Sequence, residues 1–225
     1  QGLDKLIIQK LGLKTNGEDI SKWLSILDIL KNPKQATEIA IVGKYICHQS
    51  AYESIYESLI HGGIGNNARV RMRRVESEDV EKNGARASLE GVRGILVPGG
   101  FGMRGVEGKI EAIQYARENK IPFFGICLGL QCAAIEFARN VCKLKSANST
   151  EFDVETPHPV ISLLEEQRKV SGKGGTMRLG AQPCILQAGT KAFKAYGRQN
   201  VSERHRHRYE FINTYKEIFS ASGMV

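Results

Sequence analysis

The sequence has no hydrophobic run long enough to cross a membrane. A spanning helix needs roughly 20 apolar residues. The longest apolar stretch, 121–130, is shorter and contains two glycines. The N-terminus also has no secretory signal pattern of a basic start followed by an apolar core. We therefore expect no membrane partner and a cytoplasmic location.

Cysteine is scarce, and its spacing forms no pairs. The count of five is odd, and no two cysteines have CxxC spacing. This pattern disfavours a disulfide framework and a zinc site, and it is typical of proteins in a reducing compartment. We therefore expect no metal site. The cysteines are Cys47, Cys127, Cys132, Cys142 and Cys184.

The composition excludes a disordered chain, and the sequence has no internal repeat or low-complexity tract. Its 225 residues are 41% hydrophobic and 25% charged, which is typical of a globular protein with a normal core. A net charge of +8 permits an anionic partner. The basic stretch "RHRHR" (204–208) has no interleaved aromatic residues, so we expect no nucleic acid.

Strand-like and helix-like segments alternate through the middle of the chain. Strands are predicted at 38–45, 68–75, 94–100 and 121–126, and helices at 51–63, 106–119 and 128–141. This alternation predicts an α/β fold with a doubly wound, mostly parallel sheet. Ligands of such sheets bind at the carboxyl ends of the strands.

The two ends of the chain differ from this middle part. Residues 1–37 contain two short amphipathic pieces, and Pro33 stops the second one, as in a linker. Beyond Val141 we expect loops, strands at 176–186 and 203–212, and two short helices. The chain stops at Val225, where a further strand is expected to start.

The segment "GICLG" (125–129) matches the strand–nucleophile–helix turn of G-x-S-x-G, with cysteine in place of serine. Glycine on both sides lets neighbouring backbone approach, and the central side chain is exposed at the start of a helix. A helix N-terminus lowers a thiol pKa. From this motif alone, Cys127 is either a nucleophile or a buried structural cysteine.

The segment "PGGFGMRG" (98–105) allows three interpretations. It satisfies G-x-G-x-x-G between a strand and a helix, the fingerprint of dinucleotide binding. That interpretation is disfavoured, because the strand at 121–126 leads to Cys127 instead of an acidic residue. The loop can instead supply an oxyanion hole, with the backbone N–H groups of Gly100 and Leu128 as donors. An ordinary turn is the third possibility.

A cysteine nucleophile needs a base, which is most often histidine. His205 and His207 alternate with arginines on one predicted strand, so they share a face opposite those arginines. His61 is expected near a helix end and His158 in a loop. None of the five histidines is identified as the base.

Five motifs together resemble the glutaminase domains of CTP synthases, which are class I glutamine amidotransferases. They are "VPGGFGMRG", "GICLGLQ", "NSTEFD", "GGTMRLGAQ" and "ERHRHRYE", in family order. The last three are the most specific. The resemblance covers essentially the whole chain and implies a flavodoxin-like parallel sheet. It identifies 1–37 as the end of a synthetase domain with its linker, and 38–225 as the glutaminase domain.

The resemblance also implies a role for each matching residue. Cys127 would attack the side-chain amide of glutamine, form a glutamyl thioester and release ammonia. Glu151 would bind the substrate α-amino group, and Arg208 its α-carboxylate. The remaining oxyanion and glutamine-binding positions are Gly100, Leu128, Gly129, Leu130 and Gln131.

Substrates and partners follow from the same resemblance. It implies L-glutamine as the substrate and no cofactor in this domain. The synthetase domain of the same enzyme would use ATP and Mg²⁺ to aminate UTP to CTP. GTP would be an allosteric activator, coupled to a mobile lid at 173–175. The full-length enzyme would be a homotetramer.

One departure from the family pattern affects the expected activity. The family's catalytic histidine and its glutamate partner lie in a C-terminal His-Pro-Glu motif, whereas His158-Pro159 is followed by Val160. We expect a chain truncated before that motif and weak or inactive by itself. Two alternatives stay open: a catalytically inactive regulatory or assembly domain, and a stand-alone cysteine hydrolase of the same architecture.

Overall fold

The fold was examined in a computed structural model, which describes residues 2–15, 19–163 and 178–224. The helices are α1 (Leu3–Leu11), α2 (Ser21–Lys31), α3 (Glu53–Gly65), α4 (Ser77–Asn83), α5 (Ala85–Leu89), α6 (Val106–Glu118), α7 (Leu128–Asn140), α8 (Lys191–Tyr196) and α9 (Lys216–Ala221). The strands are β1 (Gln35–Gly43), β2 (Ala68–Glu76), β3 (Gly94–Val97), β4 (Phe123–Gly125), β5 (Asn148–Ser149), β6 (Pro159–Leu163), β7 (Arg178–Ile185), β8 (Asn200–His207) and β9 (Tyr209–Phe211).

The chain divides into two compact units. The first comprises residues 1–37 and 54–71, and the second comprises 38–53 and 72–225. In the first unit, the Lys34 backbone N–H donates to Asn67 Oδ1 at 3.0 Å. Helices α1 and α2 carry exposed apolar side chains, which agrees with their predicted amphipathic character. Among these are Leu6, Ile7, Trp23, Leu24 and Leu27.

The central sheet has the strand order β2-β1-β3-β4. Strands β1 and β3 pair in parallel, with Ala40 opposite Ile95. Strands β3 and β4 are also parallel, with Leu96 opposite Phe124. Parallel strands need crossover connections, which α4 to α6 supply between β2 and β4. The predicted α/β class with a mostly parallel sheet is confirmed.

The core of the second unit lies between this sheet and helices α6 and α7. Helix α4 packs closely on α6: a Cβ on Gly108 would stand only 2.9 Å from the Ser77 carbonyl carbon. The buried apolar residues include Ala40, Val42, Ile95, Val97, Ile110, Ile113, Leu128, Ile135 and Ile161. Helices α6 and α7 thereby hold the carboxyl ends of β3 and β4 in place.

Two smaller sheets follow the central one along the chain. Strand β6 pairs in parallel with β5 and antiparallel with β9. Strands β7 and β8 form an antiparallel pair in which Pro183 lies opposite Ser202, so the strand predicted at 176–186 continues through Pro183. The strand expected at 203–212 is divided at Arg208 into β8 and β9, which belong to different sheets.

Several elements were absent from the sequence-based prediction. Helices α4 and α5 are only seven and five residues long, too short for a clear helical period of apolar residues. The sequence analysis predicts no strand at 159–163, where β6 lies with Val160 and Ile161 buried. Its apolar run is short and follows Pro159, and periodicity cannot identify a strand of that kind.

Candidate active site

Cys127 lies at the sharp turn where β4 passes into α7. Its φ of 51° and ψ of −107° are rare for a residue with a side chain. The flanking glycines are required by close backbone packing. A Cβ on Gly125 would stand 2.6 Å from the Gly129 carbonyl carbon, and a Cβ on Gly129 would stand 2.8 Å from the Val97 carbonyl carbon. The turn predicted from "GICLG" is therefore present.

The electrostatic surroundings of the thiol differ from those expected. Burial raises the pKa of Cys127, and the negative charge of Glu151 adds to the rise. The backbone N–H of Leu128 donates to the sulfur and opposes this rise in pKa. The lowered pKa expected at a helix N-terminus is thus wrong for this structure, because removal from water disfavours the thiolate more than one N–H donor favours it.

The glycine-rich loop between β3 and α6 lies against the turn. A Cβ placed on Gly99 would stand 3.4 Å from Cys127 Cβ and 4.0 Å from Cys127 Sγ. A Cβ placed on Gly100 would stand 3.4 Å from Leu128 Cδ2. Because neither glycine has a side chain, loop backbone comes close to the thiol. This arrangement suits an oxyanion hole better than a dinucleotide site.

Glu151 and Lys44 hold this loop from either side. The backbone N–H of Gly102 donates to Glu151 Oε1 at 3.0 Å. The Lys44 ammonium donates to the Phe101 carbonyl oxygen and, at 3.2 Å, to the Gly102 carbonyl oxygen. Burial raises the pKa of both Cys127 and Tyr209, and the carboxylate of Glu151 adds to both rises, so Glu151 lies within electrostatic reach of both groups.

A mostly apolar pocket of about 630 Å³ opens beside Cys127. Leu130 and Gln131 of α7 line one side. Further lining residues come from β6, β8, β9 and α9, with Tyr209 and Phe219 among them. The Gln131 side-chain amide donates to the Tyr209 carbonyl oxygen at 3.2 Å and joins α7 to β9. A pocket of this size suits a small ligand.

Two histidines share the pocket with Cys127. His205 Nδ1 and His207 Nε2 are 2.9 Å apart, and His207 Nδ1 lies 3.6 Å from Glu210 Oε1. All three residues line the pocket, whereas Arg204 and Arg206 are exposed. The predicted shared face of the two histidines is confirmed. The Cys127 sulfur lies 4.0 Å from the carbonyl oxygen of Arg206, in the same strand.

Most of the residues predicted for the site meet in this region. Leu128 and Gly129 directly follow Cys127, Gly100 lies against Leu128, and Glu151 reaches the loop. Arg208 follows β8 and lowers the pKa of Tyr209, against the stronger effect of burial, so it lies near the same wall. The two remaining predicted residues are Leu130, which is 64% exposed, and Gln131, which is engaged with Tyr209.

His158 lies in a loop, as predicted, and away from the pocket. His158 packs edge-on against Tyr215, with ring centroids 6.4 Å apart, and it does not line the pocket. The predicted lid at 173–175 lies outside the described residues.

Lys44 and Gly102 are site residues that the sequence analysis missed. Lys44 directly follows the buried strand β1 at the edge of the sheet where ligands bind. A basic residue at the carboxyl end of an apolar strand was the available signal. Gly102 gave none, because its N–H meets Glu151 across 49 positions of sequence.

Within 2–15, 19–163 and 178–224, no group of His, Cys, Asp and Glu side chains has the arrangement of a metal site. In the same part of the chain, no helix combines the length and the apolar character that crossing a bilayer requires.

Comparison with known proteins gives consistent similarities. The family model for glutamine amidotransferase class-I matches residues 48–223. The chain is 54% identical to the CTP synthase of Trichlorobacter lovleyi over 224 residues, which cover 99% of the chain and 42% of that protein. It is 55% identical to the CTP synthase of Carboxydothermus hydrogenoformans over 225 residues, which cover 100% of the chain and 42% of the relative.

A solved structure agrees with these sequence similarities. The glutaminase domain of Trypanosoma brucei CTPS with bound acivicin matches with a TM-score of 0.77 and 41% identity, covering 83% of this chain and 72% of that chain. The chain spans about two-fifths of the length of the curated relatives that it matches.

Proposed function

This chain belongs to the class I glutamine amidotransferases, as a glutaminase domain of the CTP synthase type, and on that premise we propose that it hydrolyses L-glutamine through Cys127. The products are glutamate and ammonia, and one water is consumed. The observation that carries the proposal is the meeting of the strained Cys127 turn with the glycine-rich loop.

The first chemical step forms a bond between Cys127 Sγ and the amide carbon of the glutamine side chain. The thiol proton leaves, and the carbonyl oxygen becomes an oxyanion in a tetrahedral intermediate. Because burial raises the pKa of Cys127, attack at neutral pH needs a group that accepts this proton. The family has that group in a His-Pro-Glu motif, which residues 1–225 do not contain, and this is why we propose weak or no activity for the chain by itself.

Collapse of the intermediate breaks the carbon–nitrogen bond. The leaving nitrogen takes up a proton and departs as ammonia, and a glutamyl thioester remains on Cys127. Water then attacks the thioester carbon and frees glutamate and the thiol. The backbone N–H groups of Leu128 and Gly100 stabilise the oxyanion in both steps. Preorganised donors of this kind contribute about 2.7–4 kcal/mol each.

Recognition of the amino-acid end of the substrate falls to two charged side chains. The carboxylate of Glu151 binds the α-ammonium group, and the guanidinium of Arg208 binds the α-carboxylate, since charge-assisted hydrogen bonds are the strongest available. Both residues lie near Tyr209 at the pocket wall. Gly129, Leu130 and Gln131 shape the surface along which the glutamine side chain extends.

Ammonia from this domain serves a larger enzyme. In that enzyme, a synthetase domain uses ATP and Mg²⁺ to activate UTP, and the ammonia converts it to CTP. Residues 1–37 form the connection to the synthetase domain, and 38–225 form the glutaminase domain. The glutaminase domain needs no cofactor. GTP acts as an activator, the enzyme is a cytoplasmic homotetramer, and this chain by itself is weak or inactive.

The test combines covalent labelling with a glutaminase assay. A chloroketone analogue of glutamine is incubated with the chain, and the intact mass is measured before and after. We expect one adduct per chain that is lost in Cys127→Ser and retained in Cys142→Ser as the matched control. The same variants are assayed for glutamate release in the full-length protein, where Cys127→Ser should be inactive.

The outcomes separate the proposal from its two alternatives. Labelling of Cys127 without any glutamate release from the full-length protein would indicate an inactive regulatory or assembly domain. Hydrolysis of simple amides or esters with no preference for glutamine would indicate a stand-alone cysteine hydrolase. Release of glutamate that survives Cys127→Ser would overturn the assignment of the nucleophile.

A further inference from the structure

Lys44 is a buried cation at the base of the glycine-rich loop. It follows the last residue of β1, and only 5% of its surface is exposed. Its ammonium donates to the carbonyl oxygens of Phe101 and Gly102. A buried ammonium is costly unless such acceptors replace its water, so this arrangement ties Lys44 firmly to the loop.

The peptide unit between Phe101 and Gly102 is held at both ends. Lys44 binds its carbonyl oxygen, and Glu151 Oε1 accepts its N–H at 3.0 Å. Because a peptide unit is planar and rigid, two fixed ends determine its orientation. Gly100 directly precedes Phe101, so the orientation of this peptide unit limits the directions in which the Gly100 N–H can point.

Gly100 is also confined by direct packing. A Cβ on Gly100 would stand 3.6 Å from Lys44 Cε and 3.4 Å from Leu128 Cδ2. The Lys44 stem and the side chain of Leu128, the residue that follows the nucleophile, therefore both pack against Gly100. Loss of the Lys44 side chain would remove one of these two contacts.

A hydrogen-bond network holds Lys44 itself in place. Arg104 Nη2 donates to the Lys44 carbonyl oxygen at 3.0 Å, and Arg104 Nη1 pairs with Glu78 Oε2 at 2.8 Å. Burial and the nearby guanidinium of Arg104 lower the pKa of Lys44, while Glu151 opposes that effect. The charge of Lys44 is thus coupled to the carboxylate on the other side of the loop.

We infer that Lys44 is a positioning residue, which fixes the glycine-rich loop so that the Gly100 N–H points at the oxyanion formed during attack by Cys127. This inference rests on the proposed glutaminase function. Lys44 contacts the carbonyl groups of the loop. Because the oxyanion that the Gly100 N–H would meet forms only during attack, the effect of Lys44 falls on the transition state more than on substrate binding.

The test compares Lys44→Met with Lys44→Arg in the full-length protein. Methionine keeps an unbranched side chain but has no donor, whereas arginine keeps the charge and the donors. We expect Lys44→Met to lower kcat for glutamine hydrolysis by roughly 100-fold, since loss of one oxyanion donor has that effect, with KM changed less than about 3-fold. Lys44→Arg should recover at least a tenth of the wild-type kcat.

A second measurement separates positioning from thiol chemistry. Alkylation of Cys127 by iodoacetamide forms no oxyanion, so its rate should be the same in wild type and Lys44→Met. Lys82→Met, an exposed lysine on α4, is the matched control and should behave as wild type. If Lys44→Met does not fold, kcat and KM are measured for Lys44→Gln instead, and the same result is expected: a lowered kcat with a nearly unchanged KM.

Each outcome supports or overturns the inference. An unchanged kcat in Lys44→Met, or equal losses of kcat, thermal stability and alkylation rate, would overturn it. Cys127→Ser is assayed in parallel to keep the two proposals apart. If wild type shows no glutaminase activity that depends on Cys127, the proposed function fails. If the wild type shows that activity and Lys44→Met has the same kcat, only the inference about Lys44 fails and the proposed function stands.

Discussion

Gly129 packs directly against the backbone of Val97, the last residue of β3. A Cβ on Gly129 would stand 2.8 Å from the Val97 carbonyl carbon and closer still to its oxygen. Real Cβ atoms do not make such contacts with backbone. The helix that follows Cys127 can therefore approach the strand before the glycine-rich loop this closely because residue 129 has no side chain.

Gly129→Ala should disrupt this contact. We expect a loss of about 3 kcal/mol in the free energy of unfolding, since overpacking a core forces the backbone to shift, together with loss of glutaminase activity. Urea unfolding followed by circular dichroism measures the stability. Gly62→Ala is the control, because a Cβ there has open space and alanine favours a helix. Equal stability of both variants would contradict the packing argument.

The raised pKa of Cys127 predicts how its reactivity depends on pH. The thiolate is the nucleophile, and burial keeps the thiol protonated to a higher pH than in a small thiol. The half-maximal alkylation rate by iodoacetamide should therefore be reached at a higher pH for Cys127 than for a free cysteine derivative. Peptide mass spectrometry of folded protein measures the Cys127 rate, and a plateau near neutral pH would refute this prediction.

Cys132 provides an internal comparison in the same labelling experiment. It is completely buried, and burial raises its pKa to about 12. We expect no labelling of Cys132 in folded protein and full labelling in urea. Modification of Cys132 under native conditions would indicate local opening of α7.

Glu151→Gln should weaken glutamine binding and leave the chemical step nearly intact. Loss of the carboxylate removes a charge-assisted hydrogen bond to the α-ammonium group, so KM should rise roughly 10- to 100-fold. In the Glu151→Gln variant, the side-chain amide oxygen at position 151 can still accept a hydrogen bond from the Gly102 N–H. We therefore expect kcat to stay within about 3-fold of the wild-type value. Steady-state kinetics measures both constants. Glu155→Gln, exposed in a neighbouring turn, is the control, and an unchanged KM in Glu151→Gln would argue against the clamp.

Lys109 predicts a stabilising substitution. It is 1% exposed, and its Nζ has no hydrogen-bond partner among the described residues. Lys109→Met should raise the free energy of unfolding by about 1–3 kcal/mol at pH 7, because an unsatisfied buried polar group is removed. Lys194→Met, on the exposed side of α8, should change it by less than about 0.5 kcal/mol.

The advantage of Lys109→Met should depend on pH in a defined direction. Burial lowers the pKa of Lys109 in the folded protein, whereas the unfolded chain keeps a lysine pKa near 10.4. Between these two values the unfolded state binds more protons, so wild-type stability rises with pH relative to the variant. The difference in the free energy of unfolding between Lys109→Met and wild type should therefore narrow toward pH 10. A difference that stays constant with pH would contradict a lowered pKa of Lys109.

The sequence by itself determined the elements whose pattern is local. Apolar runs and helical spacing located β1, β3, β4, α6 and α7, because the period of buried residues is a property of each segment alone. The spacing "GICLG" predicted the turn at Cys127 for the same reason: the backbone at 125–129 requires glycine on either side. The family motifs then predicted the identity of the residues that surround it.

Only the tertiary structure decided which distant residues meet. Glu151 reaches Gly102, His205 contacts His207 beside Cys127, and Lys44 holds the loop at Phe101. The spacing of His205 and His207 on one strand predicted their shared face. Their position beside Cys127 and the contacts of Glu151 and Lys44 with the loop depend on how separate strands and loops pack. The pKa of Cys127 is the clearest case: the helix N-terminus suggested a lowered value, and burial among the packed elements raises it instead.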